Sequence, residues 1–372
     1  MKKVFKITGI IFCVAVSAIY LLSSLSAFIP SSSFLYIGIF GMAFPYILLL
    51  TILLCVIYFF IEKKTAIIIL CILPFGFRNF TSTFALNKTD WQNKKDSGTL
   101  RIMTWNVEGF INLLHKQEPA SGASLKILDV IKEMHPDVLC LQEYFDVEQS
   151  NWAVSMLDKL DSAGYHFHYF SNDHLMRFDK HSLLVRGVAL FSKTPFTDSG
   201  RLNIYHYETE NENAIFADIN YNNKPLRIFT AHLLSFSLFE DTANDTGESK
   251  NIYRMTFKRK RSVFHKLTGT ELAHEKEVTT IRNEINKSPY PVIYCGDMNT
   301  TATSYNYRFL KGNLRDAFID KGFGIGATFY KIIPTLRIDY CFVDDKMKVM
   351  QCKTEEKKIS DHYPVIADLQ WK

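Results

Sequence analysis

The chain has 372 residues, of which 47% are hydrophobic and 22% charged, with 30 Phe, 18 Tyr and 4 Trp. Such a composition excludes a disordered chain, a collagen-like repeat and a small disulfide scaffold. Residues 1–78 hold six basic side chains and a single acid, Glu62, while the rest of the chain carries 37 basic and 37 acidic residues, a balance that weighs against a dedicated duplex-DNA binder.

From Ile7 to Ile61 no residue is charged. That run accommodates two membrane-spanning helices of about 20 residues each. Pro30 and Ser31 to Ser33 supply the turn, which predicts spans over 7–28 and 35–60. A cleaved signal peptide would explain Lys2, Lys3 and Lys6 before the first apolar stretch but leaves the second unexplained. After Glu62-Lys63-Lys64, the uncharged stretch from Thr65 to Phe77 is short for a span. It crosses only if it draws on Ile61 or runs past Arg78 towards 84–86, with its basic side chains snorkelling. The positive-inside bias places Lys2, Lys3, Lys6, Lys63 and Lys64 inside. A third crossing, the favoured reading, puts the C-terminal domain outside; two crossings leave it in the cytoplasm. Residues 1–86 are therefore read as a membrane anchor of two or three helices.

Residues 87–98 are polar and read as a linker, and 99–372 as one α/β domain. Apolar runs predict strands at 100–105, 137–142, 187–192, 214–220, 226–231, 291–295, 338–343 and 364–369, with helices near 124–134, 150–161 and 250–287. Pro136 and Pro289 stop the helices that precede them. Cys140, Cys295, Cys341 and Cys352 lie mostly in apolar strand-like runs without CxxC spacing; buried free thiols are the expectation, with a disulfide left open.

Polar side chains gather at the ends of these strands: Asn106 and Glu108, Gln142 and Glu143, His232, Asp297 and Asn299, with Asp339 inside a strand and Asp361-His362 just before the last one. Strand ends are rigid, so side chains mounted there can converge accurately. Glu143, Asn106, Glu108 and Asp361 are hard oxygen donors suited to Mg²⁺ or Mn²⁺. No Cys cluster or HExxH offers a zinc site. Asp339 and His362 can form a carboxylate–imidazole pair that takes a proton from water. Asn299 and His232 can donate hydrogen bonds to an oxygen that gains negative charge. Together they describe metal-assisted hydrolysis of a phosphate ester.

Each residue alone has a plainer reading. A strand-end acid is usually solvated, and a lone histidine such as His232 is usually structural. His166 and His168 alternate as in a half-exposed strand, and Lys258 to Arg261 read as a solvated helix face. No P-loop, GxSxG or dinucleotide fingerprint competes. Arg177, Lys193, Arg308 and Lys331 are unranked candidates for a phosphate contact.

In chain order, Thr-Trp-Asn-Val-Glu-Gly (104–109), Leu-Gln-Glu (141–143), Gly-Val-Ala-Leu-Phe-Ser-Lys (187–193), Thr-Ala-His-Leu (230–233), Gly-Asp-Met-Asn (296–299), Arg-Ile-Asp-Tyr (337–340) and Ser-Asp-His-Tyr-Pro-Val (360–365) resemble the endonuclease/exonuclease/phosphatase superfamily. The resemblance implies a DNase I-like four-layer α/β sandwich, here preceded by transmembrane helices, with its site at one end of the sheets. It implies Glu143 as the principal metal ligand, assisted by Asn106, Glu108 and Asp361. Asp297 and Asn299 would position the water and the phosphate, and His362 with Asp339 would act as base or phosphate contact. His232 matches the DNase I and sphingomyelinase branches, whereas apurinic endonucleases usually carry tyrosine there. The apolar N-terminus resembles membrane-anchored bacterial members, which implies an inner-membrane protein; three crossings would make its catalytic domain extracytoplasmic.

The leading expectation is a Mg²⁺-dependent phosphodiesterase whose partners are the lipid bilayer and a phosphate-ester substrate, either phospholipid or nucleic acid. Inositol phosphates would ordinarily call for a more basic pocket. The alternative from another class is a catalytically silent membrane-anchored scaffold that retains the fold. The sequence points to no protein partner.

Overall fold

The computed structural model describes residues 2–87, 90–110, 120–147, 155–177, 183–206, 211–236, 257–331 and 333–372. They form two compact units, one of 1–83 with 234–275 and 300–309, the other of 84–233 with 276–299 and 310–372.

The first unit carries α1 (Lys2–Leu25), α2 (Ile37–Met42), α3 (Phe44–Ile61), α4 (Lys63–Ile72) and α5 (Phe77–Thr83). Val4–Leu25, Phe44–Ile61 and Lys63–Thr83 are long and apolar enough to cross a membrane. The third reaches that length because a 3-10 turn, Leu73–Gly76, carries the helix through Pro74 into α5. The expected span 35–60 is divided instead. Ala43 caps both α2 and α3, and Pro45 lies in the first turn of α3, where its missing N–H costs nothing. Among the described residues, every exposed large apolar side chain except Leu86, Leu125 and Phe323 lies before residue 84. Polar contacts close the unit beyond the helices. Ser26 Oγ donates to Thr303 O at 2.7 Å, Thr303 Oγ1 to Gly41 O at 2.7 Å, and Asn79 Nδ2 to Ser23 O at 2.8 Å.

The second unit carries β1 (Ala85–Leu86), β2 (Leu100–Asn106), β3 (Val138–Val147), β4 (Phe167–Phe170), β5 (His174–Arg177), β6 (Leu183–Ser192), β7 (Phe196–His206), β8 (Asn211–Tyr221), β9 (Lys224–His232), β10 (Val292–Asp297), β11 (Arg315–Asp316), β12 (Phe323–Gly324), β13 (Asp339–Val343), β14 (Met347–Thr354) and β15 (Val365–Trp371). One sheet has the order β11-β13-β10-β9-β8-β7, the other β14-β15-β2-β3-β6-β4 with β5 also on β6, and β1 pairs β12. All eight expected strands are present. The additional long strands, β7 and β14, are sheet edges that need only one buried face, so polar residues interrupt the apolar runs that mark central strands.

Ile102, Cys140, Val188 and Leu190 of the second sheet form one apolar cluster with Ile215, Ile228, Ile293 and Cys341 of the first. All seven cysteines are free, and Cys140, Cys295, Cys341 and Cys352 are buried. The other face of the second sheet packs Met103, Leu139 and Leu141 against Ile127, Leu128 and Ile131 of α6 (Ala120–Met134) and Met156 and Leu160 of α7 (Met156–Ser162). This is the α/β sandwich expected from the sequence. Residues 150–154 and 250–256, also expected to be helical, lie outside the described residues, and α8 runs Phe257–Lys287.

Two buried polar groups set the register. Gln142 Nε2 donates to Thr230 Oγ1 at 2.9 Å, which joins the sheets next to the strand ends. At the opposite end Arg101 makes a bidentate pair with Asp368 at 2.6 and 2.8 Å and donates to the carbonyls of Asn93, Met134 and Gln92. Every guanidinium donor direction is thereby used, and Trp91 covers the group at 4.8 Å. Residues 91–93 are thus held against this unit.

Candidate active site

Register explains why residues distant in sequence meet. In the parallel pairs, Asn106 stands beside Gln142 and Asp297 beside His232, and antiparallel β13 sets Asp339 opposite Asp297. Gly296 permits the close β9–β10 approach, since a Cβ there would lie 2.3 Å from Ala231 O. Period-two alternation alone would turn Glu143 away from the face that Gln142 occupies. A bulge between Leu141 and Tyr144 re-aims it, with Glu143 at φ 49°. Glu108 (φ 46°) and Asn299 (φ 47°) also adopt left-handed backbone. For the two glutamates this costs about 1 kcal/mol or more each, so the surrounding contacts must hold them there.

Asn106 Nδ2 donates to Glu143 Oε1 and to Asp297 Oδ2, both at 3.1 Å. Asp297 Oδ2 lies 3.7 Å from Nε2 of both His232 and His362. His362 Nδ1 meets Asp339 Oδ2 at 2.8 Å, and Trp105 Nε1 donates to His362 O at 2.9 Å. Among the described residues, the buried Asp339 Oδ1 has no hydrogen-bond partner. Asn299 turns its amide towards Leu233 O at 2.9 Å and His232 Nε2 at 3.2 Å. Beside this group, Lys331 Nζ bridges Glu108 Oε1 at 2.7 Å and Asp361 Oδ2 at 3.1 Å, and the Asp361 N–H donates to Glu108 Oε2. Arg186 Nη2 pairs with Glu143 Oε2 at 3.0 Å.

Burial and neighbouring charge divide these groups. Burial, reinforced by the charge of Asp339, pushes Asp297 up to about 8. Burial opposes charging His362, yet Asp339 and Asp297 outweigh it and raise the imidazole to about 10. Burial also takes His232 down to about 4, against the pull of Glu143. For Glu143 burial favours the neutral acid, but His232 and Arg186 hold the carboxyl below its usual range. Burial, then Asp361, raises Glu108. At neutral pH His362 is the imidazolium and His232 the neutral ring.

The nine expected site residues all lie in this unit, around two foci. Asn106, Glu143, His232, Asn299, Asp339 and His362 surround the carboxylate of Asp297; Glu108 and Asp361 meet at Lys331. Two details differ from the sequence reading. Asn106 presents its nitrogen to Glu143 and Asp297, while its oxygen accepts from the Glu108 N–H at 3.0 Å, so ligation through oxygen requires the amide to turn over. Asn299 and His232 point at one another. Sequence reasoning missed Arg186, although it directly precedes the Gly187–Lys193 motif. Lys193 belongs elsewhere: its N–H donates to Asp137 O at the start of β3, and its ammonium lies over Tyr165. Arg308 belongs to the other unit, and the side chain of Arg177 lies outside the described residues.

The donor set fits a hard divalent cation. Asp297, Asp339, Glu143, Glu108 and Asp361 offer hard carboxylate oxygens, and Asp339 Oδ1 has no hydrogen-bond partner among the described residues. Asp297, Asp339 and His362 also place one ligand atom each within 4.8 Å of one another.

A family model described as Endonuclease/Exonuclease/phosphatase family matches residues 103–362, and a model described as a domain of unknown function matches residues 2–83. Solved structures similar to the chain include an endonuclease/exonuclease/phosphatase from Beutenbergia cavernae, with TM-score 0.54, 18% identity, 73% of this chain and 72% of that one covered. The human Nocturnin catalytic domain with bound sulfate has TM-score 0.52 and 19% identity over 74% and 94% of the two chains. An endonuclease/exonuclease/phosphatase from Bacteroides vulgatus has TM-score 0.50 and 18% identity over 74% and 99%. At such identities the likeness is one of fold. No curated protein matches the sequence.

Proposed function

This chain belongs to the Endonuclease/Exonuclease/phosphatase family, and from that premise we propose a membrane-anchored phosphoesterase that hydrolyses a phosphodiester with Mg²⁺ or Mn²⁺. The observation that carries the reading is the surroundings of Asp297 Oδ2, within 3.1 Å of Asn106 and 3.7 Å of both imidazoles. Glu143 and Asn106, with Glu108 and Asp361, would hold the cation, which supplies charge neutralisation for the phosphoryl oxygens.

Asp297 receives the proton of the attacking water. Its affinity, raised to about 8, suits a base that works near neutral pH. The water oxygen forms the new bond to phosphorus while the ester P–O bond breaks, and the departing oxygen takes a proton from solvent to leave as an alcohol. His362, protonated and fixed by Asp339, presents Nε2–H to a phosphoryl oxygen as negative charge builds. It therefore serves as phosphate contact rather than base. Asn299 and neutral His232 hold one another in position beside Asp297.

A lipid headgroup is the favoured substrate. The three apolar helices and their exposed hydrocarbon support an anchor, and the neutral charge balance of 79–372 supports a lipid over a nucleic acid. Three crossings with Lys63 and Lys64 inside put the catalytic unit on the extracytoplasmic side. The test is hydrolysis by the full chain in detergent, with Mg²⁺ or with chelator, across phospholipids including sphingomyelin, plasmid DNA and inositol phosphates. Metal-dependent turnover of a phospholipid is the expected result. Preferred cleavage of DNA would replace the lipid reading with a nuclease, and metal binding without turnover of any of them would favour a silent scaffold.

A further inference from the structure

Within the helical unit, α1 ends at Leu25, α3 begins at Phe44 and α5 spans Phe77–Thr83, so these termini belong to the same end of the apolar helices. Exposed Tyr36 and Tyr46, the residue type that settles at headgroup level, lie near them in sequence together with exposed Phe28, Phe34, Phe75 and Phe77. Two guanidinium groups share one of these rings. Arg308 Cζ lies 4.4 Å and Arg78 Cζ 5.8 Å from the centroid of Phe28, which is 42% exposed. Arg308 donates to Ala27 O at 3.4 Å. Among the described residues neither arginine forms an ion pair with a carboxylate, and the groups that act on Arg308 are burial, the like charge of Arg78 and Tyr305.

Two cations over one ring repel each other unless an anion lies between them. A ring can support the flat faces of guanidinium groups, whose remaining N–H groups then offer the fork that pairs with phosphate oxygens. At the end of membrane-spanning helices the abundant phosphate is that of the lipid itself. We propose that Arg78 and Arg308, supported on Phe28, bind the phosphate of an anionic phospholipid at the bilayer surface; this rests on the reading that the apolar helices cross the membrane.

Native mass spectrometry of the full chain in nonionic detergent, with phosphatidylglycerol, phosphatidylcholine or glycerol phosphate added, tests it. The wild type is expected to retain phosphatidylglycerol about tenfold better than phosphatidylcholine, and Arg78→Gln/Arg308→Gln to lose that preference. The single variants Arg78→Gln and Arg308→Gln, which each keep one guanidinium, fall between and supply the answer should the double variant not fold. Undiminished phosphatidylglycerol in all three variants, or equal retention of both lipids by the wild type, would overturn the site. Displacement by equimolar glycerol phosphate would make it a site for free phosphate and overturn the lipid assignment. Alkaline carbonate treatment of native membranes tests the anchor separately: a chain that stays in the membrane upholds it, and a chain that is released removes the premise.

Discussion

In the strand-bearing unit Asp297, Asp339, His232 and His362 are buried together, whereas in the helical unit Val4, Phe5, Phe59, Phe60 and Ile61 stand exposed. Both arrangements are unfavourable in water, but they are relieved differently. Buried ionisable groups persist because each faces a partner: Asp339 faces His362, Glu143 faces Arg186, Asp368 faces Arg101. Exposed Phe and Ile side chains find no partner of that kind. Each forgoes the about 1.5–3 kcal/mol that burial would contribute, so a few of them leave unrealised as much as the ~5–15 kcal/mol that keeps a typical domain folded. A bilayer would supply that burial, as the anchor proposed above requires.

The largest effect that tests this contrast is catalytic. Asp297→Asn keeps the size of the side chain and removes the proton acceptor, with an expected loss of about 10²–10⁴ in turnover, measured by steady-state kinetics at saturating Mg²⁺. A loss below tenfold would move the base elsewhere. Chelation is expected to abolish turnover, and added Mg²⁺ to restore it.

Stability comes next. Arg101→Met leaves Asp368 buried without a counter-charge, held among the described residues only by Gln351 Nε2, with an expected cost of about 3–5 kcal/mol; Arg101→Met/Asp368→Leu removes both charges and should recover most of it. Denaturation midpoints of the full chain in detergent read both. Equal destabilisation by the single and the double variant would show that packing, not the charge, holds residues 91–93.

The metal-free chain should also lose stability with rising pH. His362 is raised from 6.5 to about 10, so its contribution is complete below pH 6.5 and fades as pH climbs through 10. Asp297, raised from 3.8 to about 8, acts in the same direction between those values. His232, lowered from 6.5 to about 4, opposes Asp297 below pH 6.5, so thermal midpoints in chelator are expected to fall between pH 6.5 and 10, less steeply for His362→Gln. Mg²⁺ should stabilise more at pH 9 than at pH 6, because binding displaces the proton of Asp297. A flat profile would contradict the buried imidazolium.

The smallest effect concerns Lys331, whose ammonium already neutralises Glu108 and Asp361. Lys331→Met is expected to tighten Mg²⁺ binding roughly threefold to tenfold by calorimetry, since a competing positive charge is removed. Weaker binding would show instead that Lys331 orders the two acids for the metal.

Much of the site was legible because its residues terminate strands whose apolar runs are unmistakable: Asn106, His232 and Asp297 each end one. Their convergence follows from parallel pairing, which a sequence does not print. Glu143 faces the site only through a bulge, and period-two reasoning would have turned it away. The charge states were illegible for a different reason. Asp297 and His362 are both raised by Asp339, which is 42 residues from one and 23 from the other in number yet beside both in space. Arg186 and Lys331 acquire meaning only from distances of 3.0 and 2.7 Å. The apolar helices were visible as uncharged runs, but the break at Ala43 and the continuation through Pro74 depend on backbone geometry.

The most direct measurement is Mg²⁺-dependent hydrolysis of a soluble phosphodiester by the detergent-solubilised full chain, in parallel with His362→Ala. The account expects turnover that rises with Mg²⁺, vanishes in chelator and drops by at least about a hundredfold in the variant. Turnover indifferent to Mg²⁺ or to His362, in protein that is folded and binds the ion, would contradict it.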